Sequence, residues 1–351
     1  MAASRRSIIG GVDTHRDTHH AAILDEVGGL LGDAEFPATP DGYQELLSWM
    51  RGYGRLRLVG VEGTGSYGAG LTRYLHGRKV TVVEVDRPDR GGRRQHGKSD
   101  PIDAVAAARA ALAGTATATP KTRTGPVEAI RTLRVVRRGA VKARTATLNQ
   151  IRGLIIAAPE HLRCQLKGLA PTTLAKRCAA LEHDPTRIHD PAHATAIALA
   201  GLARRVLTLT AEITALDKLL IPLVKKAAPR TIALFGVGTD VAAQLLTTAG
   251  DNPDRLRSEA ALAHLCGAAP IPASSGRTHR HRLHRGGDRH ANHALHTIAL
   301  CRLRYDPRTR AYATRRSAEG LSNNEILRCL KRYIAREVYT SLLADFTALT
   351  T

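Results

Sequence analysis

Two groups of residues in this chain could do chemistry on a phosphodiester. The first is a set of acids. Asp13 and Glu62 each end an apolar run, in the locally alike settings Gly-Val-Asp and Gly-Val-Glu. Asp100 and Asp103 stand three residues apart in Lys-Ser-Asp-Pro-Ile-Asp-Ala (98–104), at the start of an apolar helical stretch. Side chains at i and i+3 lean over the same helical turn, so this pair could join the two strand-end acids around a divalent cation. Mg2+ suits such a set, being a hard ion that takes oxygen ligands. Taken alone, Asp100 and Asp103 are read more simply as a helix start, with Asp100 as N-cap, Pro101 first in the helix and Asp103 reaching back. Asp13 alone reads as a turn residue and Glu62 as a solvated acid before Gly63-Thr64-Gly65. The four together are less easily dismissed. Asp17, Glu84 and Asp86 fit the pattern less well. His15, His19 and His20 match no standard zinc spacing and are read as surface or hairpin residues.

The second group is a serine pair in a basic segment. Two prolines lead into Ser274, Ser275 and Gly276, and the stretch to His290 then holds Arg277, Arg280, Arg282, Arg285 and Arg289 against one acid, Asp288. A serine that loses its proton can attack phosphorus while guanidinium groups meet the phosphate charge. Composition by itself favours a phosphate-binding loop over a nucleophile.

These residues need a scaffold. Apolar runs at Ile8–Asp13, Ala21–Leu24, Leu30–Phe36, Leu56–Glu62 and Val80–Val85 read as strands, with helical spacing at Gly42–Met50 and Tyr67–His76. The order strand, strand, strand, helix, strand, helix, strand, helix describes a mixed α/β sheet, whose functional side chains gather where parallel strands end. A Thr-, Ala-, Gly- and Pro-rich stretch at 113–126 marks the end of this domain. Val127–Ile156 reads as a long helix with an apolar seam and a basic face that includes Arg131, Arg134 and Arg138. The stretch 159–191 is less regular. Leu199, Leu202, Val206, Leu209, Ile213, Leu216, Leu220 and Leu223 then alternate spacings of three and four, a coiled-coil seam that could pair within the chain or with another copy. Pro222 suggests a stop or kink. The resulting division is 1–115, a helical connector at 116–228, and a mainly α-helical region at 229–351.

The balance of charge names the partner class. With 52 Lys and Arg against 31 Asp and Glu, the net charge of +21 points to a polyanion, and the basic loop containing Arg93, Arg94 and Lys98 suits phosphate contact. Aromatics are only 3%, too few for binding dominated by base stacking. No apolar run approaches the ~18 residues of a membrane helix, and no signal-peptide core follows Met-Ala-Ala-Ser-Arg-Arg, so a cytoplasmic protein without membrane partners is expected. The five cysteines form no Cys-x-x-Cys pair, which argues against a zinc knuckle or a disulfide framework.

Taken as a set, Gly-Val-Asp-Thr-His (11–15), Gly-Val-Glu-Gly-Thr-Gly (60–65) and Lys-Ser-Asp-Pro-Ile-Asp-Ala (98–104) resemble the DEDD transposases of the insertion-sequence one-ten family. The blocks at 236–251, 266–276, 284–296 and 328–337 are similar to that family's C-terminal transposase domain. The resemblance implies a RuvC-like, RNase H-type first domain with Asp13, Glu62, Asp100 and Asp103 as a catalytic tetrad binding Mg2+. It also maps a nucleophilic serine to Ser275, with Ser274 the alternative in the doubled pair. It further implies DNA donor and target strands, a bridge RNA transcribed from the element, a homo-oligomer (dimer or tetramer) and association with the bacterial nucleoid. Two other readings stand beside it: a metal-dependent junction resolvase or nuclease with no covalent step, and a non-catalytic nucleic-acid-binding protein.

Overall fold

Glycine placement explains how the first domain is assembled. A computed structural model describes residues 6–85, 99–252, 255–277 and 281–350, with the side chain of Thr350 excepted. β1 (Ser7–Thr14) lies at the centre of a five-stranded sheet of order β3-β2-β1-β4-β5. It pairs antiparallel with β2 (Thr18–Asp25), which pairs antiparallel with β3 (Leu30–Pro37). On its other side it pairs parallel with β4 (Arg55–Glu62), and β4 with β5 (Val82–Val85). Seven of the eight β1 residues are buried because the sheet is covered on both faces. On one face Ile8, Val12, Ile23, Val59 and Val61 pack against Leu46, Leu47 and Met50 of α1 (Pro40–Gly52) and Leu71 and Leu75 of α2 (Ala69–Gly77). The hydroxyl of Thr39 starts α1 by accepting the Gly42 N–H at 3.2 Å.

The opposite face carries α3 (Asp100–Leu112). Alternation along a strand puts Gly11 on the same side as Asp13, and Gly60 on the same side as Glu62. A Cβ at Gly11 would lie 2.2 Å from the Ala104 carbonyl oxygen and the Ala108 nitrogen; one at Gly60 would lie 2.5 Å from the Ala107 carbonyl. α3 therefore rests directly on the strand backbones through Ala104, Ala107, Ala108 and Ala111, all buried. This mixed sheet with its following helix is RNase H-like, as the strand order read from the sequence anticipates.

By contacts the chain forms two compact units, one made of Met1–Glu128 with Leu245–Thr351, the other of Ala129–Gln244. In the first, the extended segment after α3 ties the sheet domain to the C-terminal helices. Ala118 bridges Glu84 of β5, and Asp251 accepts hydrogen bonds from the Thr122 hydroxyl and the N–H groups of Arg123, Thr124 and Gly125. Arg255 donates to the Thr119 carbonyl at 2.9 Å and to Glu84 at 3.3 Å. The helices beyond are α10 (Glu259–Leu265), α11 (Arg289–Tyr305), α12 (Pro307–Ala318) and α13 (Asn323–Thr350). α13 buries Ile326, Leu330, Ile334, Val338, Leu342 and Phe346, one every four residues, and packs on α10 and α11.

The second unit contains most of α4 (Pro126–Ile156), α5 (Glu160–Leu166), α6 (Pro171–Ala179) and α7 (Pro191–Ala227), with α8 (Pro229–Ala233) and the start of α9 (Thr239–Ala249). Ile151 and Ile155 of α4 share a core with Leu166, Leu174, Leu199, Ala203 and Val206. The stretch 159–191, irregular by sequence, supplies two short helices to this core. Pro222 neither stops nor ends α7, which runs five residues past it to Ala227. Proline forfeits one backbone hydrogen bond there, and near a helix end neighbouring turns carry the loss.

Candidate active site

Strand register sets two of the acids at adjacent strand ends. Val12 pairs with Val61, so the next residues, Asp13 and Glu62, leave adjacent parallel strands side by side and on the face that α3 covers. The Thr14 hydroxyl donates to the Glu62 carbonyl at 2.8 Å and holds the two strand ends together. α3 brings its first turn to the same place. Asp13 and Asp103 are buried, 6% and 1% exposed, whereas Asp100 and Glu62 are partly open to solvent.

The helix start differs from the simplest reading of the sequence. Ser99, not Asp100, occupies the N-cap position, Asp100 is the first helical residue, and the Ser99 side chain makes no capping hydrogen bond. The Asp103 N–H is satisfied by the Ser99 carbonyl at 3.0 Å. Asp100 lies inside the first turn and is not the N-cap residue.

His15 is the residue that sequence reasoning misplaced. Its Nε2 lies 3.1 Å from Asp13 Oδ2 and 3.1 Å from Asp100 Oδ1, and ligand atoms of these three residues fall within 4.8 Å of one another. The available signal was its place two residues after Asp13 along the chain. His19 is fully buried and stacks on Tyr43, and His20 bonds Asp33 at 2.7 Å; these two belong to the sheet and not to the acid cluster. Burial raises the pKa of Asp13, His15 opposes the rise, and the charges of Asp103 and Asp100 add to it. A buried carboxylate facing two more, with one imidazole to offset them, is the electrostatic setting that a divalent cation relieves. The donor set of carboxylate oxygens fits Mg2+.

Ser274 and Ser275 lie in the other half of the same compact unit. They follow β6 (Ile271–Pro272), which pairs with β7 (His281–Arg282), and both serines are exposed. Gly276 has φ +55° with open space around it, so the turn that presents Ser275 needs glycine. The base of this strap is anchored: Asn292 of α11 donates to the carbonyls of Cys266 and Gly267 at 3.0 and 2.9 Å, and Lys331 donates to Asn292 at 3.0 Å. Asp288 caps α11 through the His290 and Ala291 N–H groups and accepts the Thr248 hydroxyl. Burial works against its charge, but these donors hold its pKa below the usual carboxylate range.

The basic candidates divide. Arg277, Arg282 and Arg285 are exposed around the strap, and Arg138 is exposed on α4. Arg131 is half-buried. Arg134 is 13% exposed and donates to Gln244 at 2.9 Å and Asp240 at 3.3 Å, so its guanidinium is engaged inside the helical unit and not presented to a phosphate. Its neighbour Arg137 clamps Asp217 of α7 at 2.5 Å. Arg93, Arg94, Lys98 and Arg280 lie outside the described residues.

Comparison with known proteins agrees with this arrangement. A family model described as a transposase matches residues 10–157, and a second, described as the transposase IS116/IS110/IS902 family, matches residues 231–314. The chain is 30% identical over 140 residues to the insertion element IS900 uncharacterized 42 kDa protein of Mycobacterium paratuberculosis, a match covering 39% of this chain and 35% of that protein. The chain thus spans only about a third of that relative's length. The first family model covers all four acids and the second covers the serine strap, in that order on one polypeptide, and the protein belongs to the IS110 family of transposases.

Proposed function

We propose that this protein is a DNA recombinase of an insertion sequence, cleaving and exchanging strands through a covalent serine-DNA link. The observation that carries the reading is that Asp13, Asp100 and Asp103 gather where β1 ends and α3 begins, with Glu62 at the adjacent end of β4, in a chain whose second family block presents an exposed serine among arginines. The proposed division is a RuvC-like domain at 1–115, a connector at 116–228 and a serine-bearing domain at 229–351.

The tetrad would hold Mg2+, which when bound supplies positive charge at a transferring phosphate. The chain's own residues do the rest. His15 fixes the Asp13 and Asp100 carboxylates through its Nε2. Ser275 Oγ forms a bond to phosphorus while the bond from phosphorus to the leaving deoxyribose oxygen breaks. The serine proton ends on that oxygen, and the phosphodiester energy is kept in the serine ester. Arg277, Arg282 and Arg285 stand beside the strap to meet phosphate charge. Family resemblance supports guidance by a bridge RNA, with base pairing choosing the DNA and the protein handling backbone and chemistry. It also supports assembly as a dimer or tetramer and action at the bacterial nucleoid. No helix among the described residues is long and apolar enough to cross a membrane.

Denaturing electrophoresis of end-labelled DNA, incubated with protein, Mg2+ and the RNA of the element's end, tests the proposal. Wild-type protein should yield protein-linked strands. Ser275→Ala should bind DNA and RNA yet give neither cleavage nor adduct, with adduct yield down at least about a thousandfold, while Ser274→Ala keeps appreciable activity. Cleavage by the double alanine variant would leave a metal nuclease as the better reading, and an adduct on Ser274 would move the assignment by one residue.

A further inference from the structure

A cavity that the tetrad and the serine do not account for lies behind the strap. It encloses about 590 Å³ between Gly267–Pro270, the segment from His281 to His284, and the faces of α12 and α13. Its volume is in the range of sites that take a molecule of nucleotide size. Six of its lining side chains are cationic and only Glu325 is acidic. Arg332 and Arg336 share one carboxylate, Glu259, at 2.9 and 2.6 Å. Arg328 faces Glu325 at 3.6 Å, and Arg316 pairs with Glu319. Arg282 and Lys331 have no carboxylate partner among the described residues, so the wall stays net positive after every acid beside it has been counted.

Lys331 is the informative cation. It is 8% exposed, and its hydrogen bond goes to the neutral amide of Asn292. Burial first, then the charge of Arg328, draws its pKa below the usual lysine range. A buried ammonium without a counterion is costly, and an anion in the cavity relieves it. The rest of the wall is not that of a simple phosphate cup. Leu283 and Leu321 contribute apolar surface, and Tyr333 stands 50% exposed at the cavity, edge-to-face with Tyr312 at 5.7 Å. In a chain with 3% aromatics, an exposed ring beside a basic cavity is a platform for a planar group. His284, also in the wall, has a buried Nδ1 with no hydrogen-bond partner among the described residues. A base edge supplies such a partner.

We propose that this cavity receives one unstacked nucleotide of the DNA strand that runs to Ser275, its base against Tyr333 and its phosphate toward Lys331 and Arg282. The inference rests on the reading of Ser275 as nucleophile, because the strap that lines the cavity at Gly267–Pro270 continues directly to that serine. Five residues of extended chain span at most about 18 Å, which is about five stacked nucleotides along one strand. A nucleotide held in the cavity would therefore lie within a few positions of the phosphate that Ser275 attacks. It would set the register of the strand by stacking and charge, without reading sequence.

The test uses the full-length protein and short single-stranded DNA carrying 2-aminopurine at successive positions, with fluorescence quenching and binding affinity as readouts. One position, at a constant offset from the adduct site, should be quenched on binding. Tyr333→Ala should abolish that quench and weaken binding about tenfold, while Tyr333→Phe restores both. Arg282→Gln, an exposed substitution, should weaken binding and reduce its salt dependence. Wild-type quenching and affinity in both Tyr333→Ala and Arg282→Gln would overturn the proposal, and so would quenching by RNA but not by DNA of the same sequence. Ser275→Ala should keep the quench. A retained quench in wild-type protein that forms no adduct would remove the serine reading and leave the nucleotide site standing.

Discussion

The acid cluster and the serine strap sit in one compact unit and are built in opposite ways. The acids stand on the ends of regular elements, Asp13 and Asp103 buried and Glu62 and Asp100 partly open. Their positions follow from strand register and from α3 lying directly on Gly11 and Gly60. The serines are exposed on a turn beyond a two-residue strand, and only the base of that strap is anchored, through Asn292 and Lys331. A group that must hold a cation against mutual repulsion needs rigid walls. On the proposed reading, a serine nucleophile that must reach a strand needs an exposed support. Damage to the first should therefore appear in folding and in electrostatics, and damage to the second in chemistry alone.

The contrast is broken most severely at Gly11. Valine there would drive its Cβ into the backbone of α3, and neither strand nor helix has room to give. Gly11→Val should cost about 3 kcal/mol or more and lower the thermal midpoint markedly, whereas Gly276→Ala, with open space around it, should cost only about 1 kcal/mol of backbone strain. Equal losses in the two variants by thermal unfolding would mean that α3 is not held by close contact.

A second expectation separates stability from activity within the acid cluster. In metal-free buffer Asp13→Asn should be at least as stable as wild type while recombination is lost, because the substitution removes a buried charge that faces Asp103 and Asp100. Asp13's pKa in the fold is raised above its ordinary value of 3.8, so between those two values the folded state holds the extra proton. This contribution to stability is present at acid pH and is lost as pH rises through the raised value. Melting curves across that window should show the loss in wild type and not in Asp13→Asn. Added Mg2+ should restore wild-type stability at neutral pH and leave the variant less affected.

The smallest effect distinguishes engaged from free arginines on α4. Arg134→Gln should destabilise by about 1–3 kcal/mol, since it removes the guanidinium's hydrogen bonds to Asp240 and Gln244 inside the helical unit, with little change in the salt dependence of nucleic-acid binding. Arg138→Gln should leave stability within about 0.5 kcal/mol and lower the salt slope by about one unit if Arg138 meets a phosphate. Chemical denaturation and binding titrations over a range of salt concentration measure both.

Much of this protein was legible before any coordinates. Alternating and runs-of-apolar patterns located the five main strands, because a strand covered on one or both faces must present apolar side chains at fixed intervals. The spacing Asp-x-x-Asp and the paired Gly-Val-acid settings singled out the four acids as candidates, whereas the serine was singled out by family resemblance and not by composition. What a one-dimensional pattern could not carry was anything set by contact across the chain. That Gly11 and Gly60 admit α3 was hidden, since a glycine's neighbour belongs to a distant element. The entry of His15 into the acid cluster depends on where α3 begins, and the burial of Arg134 depends on Asp240 and Gln244, more than a hundred residues away. The helices at 160–166 and 171–179 escaped notice because each is too short for a period to stand out, and they are stabilised by the core they enter. Local chemistry and periodicity are properties of neighbouring residues, and the sequence alone determined them. Which charges are spent inside the fold and which face solvent is a property of packing, and only the tertiary structure decided it.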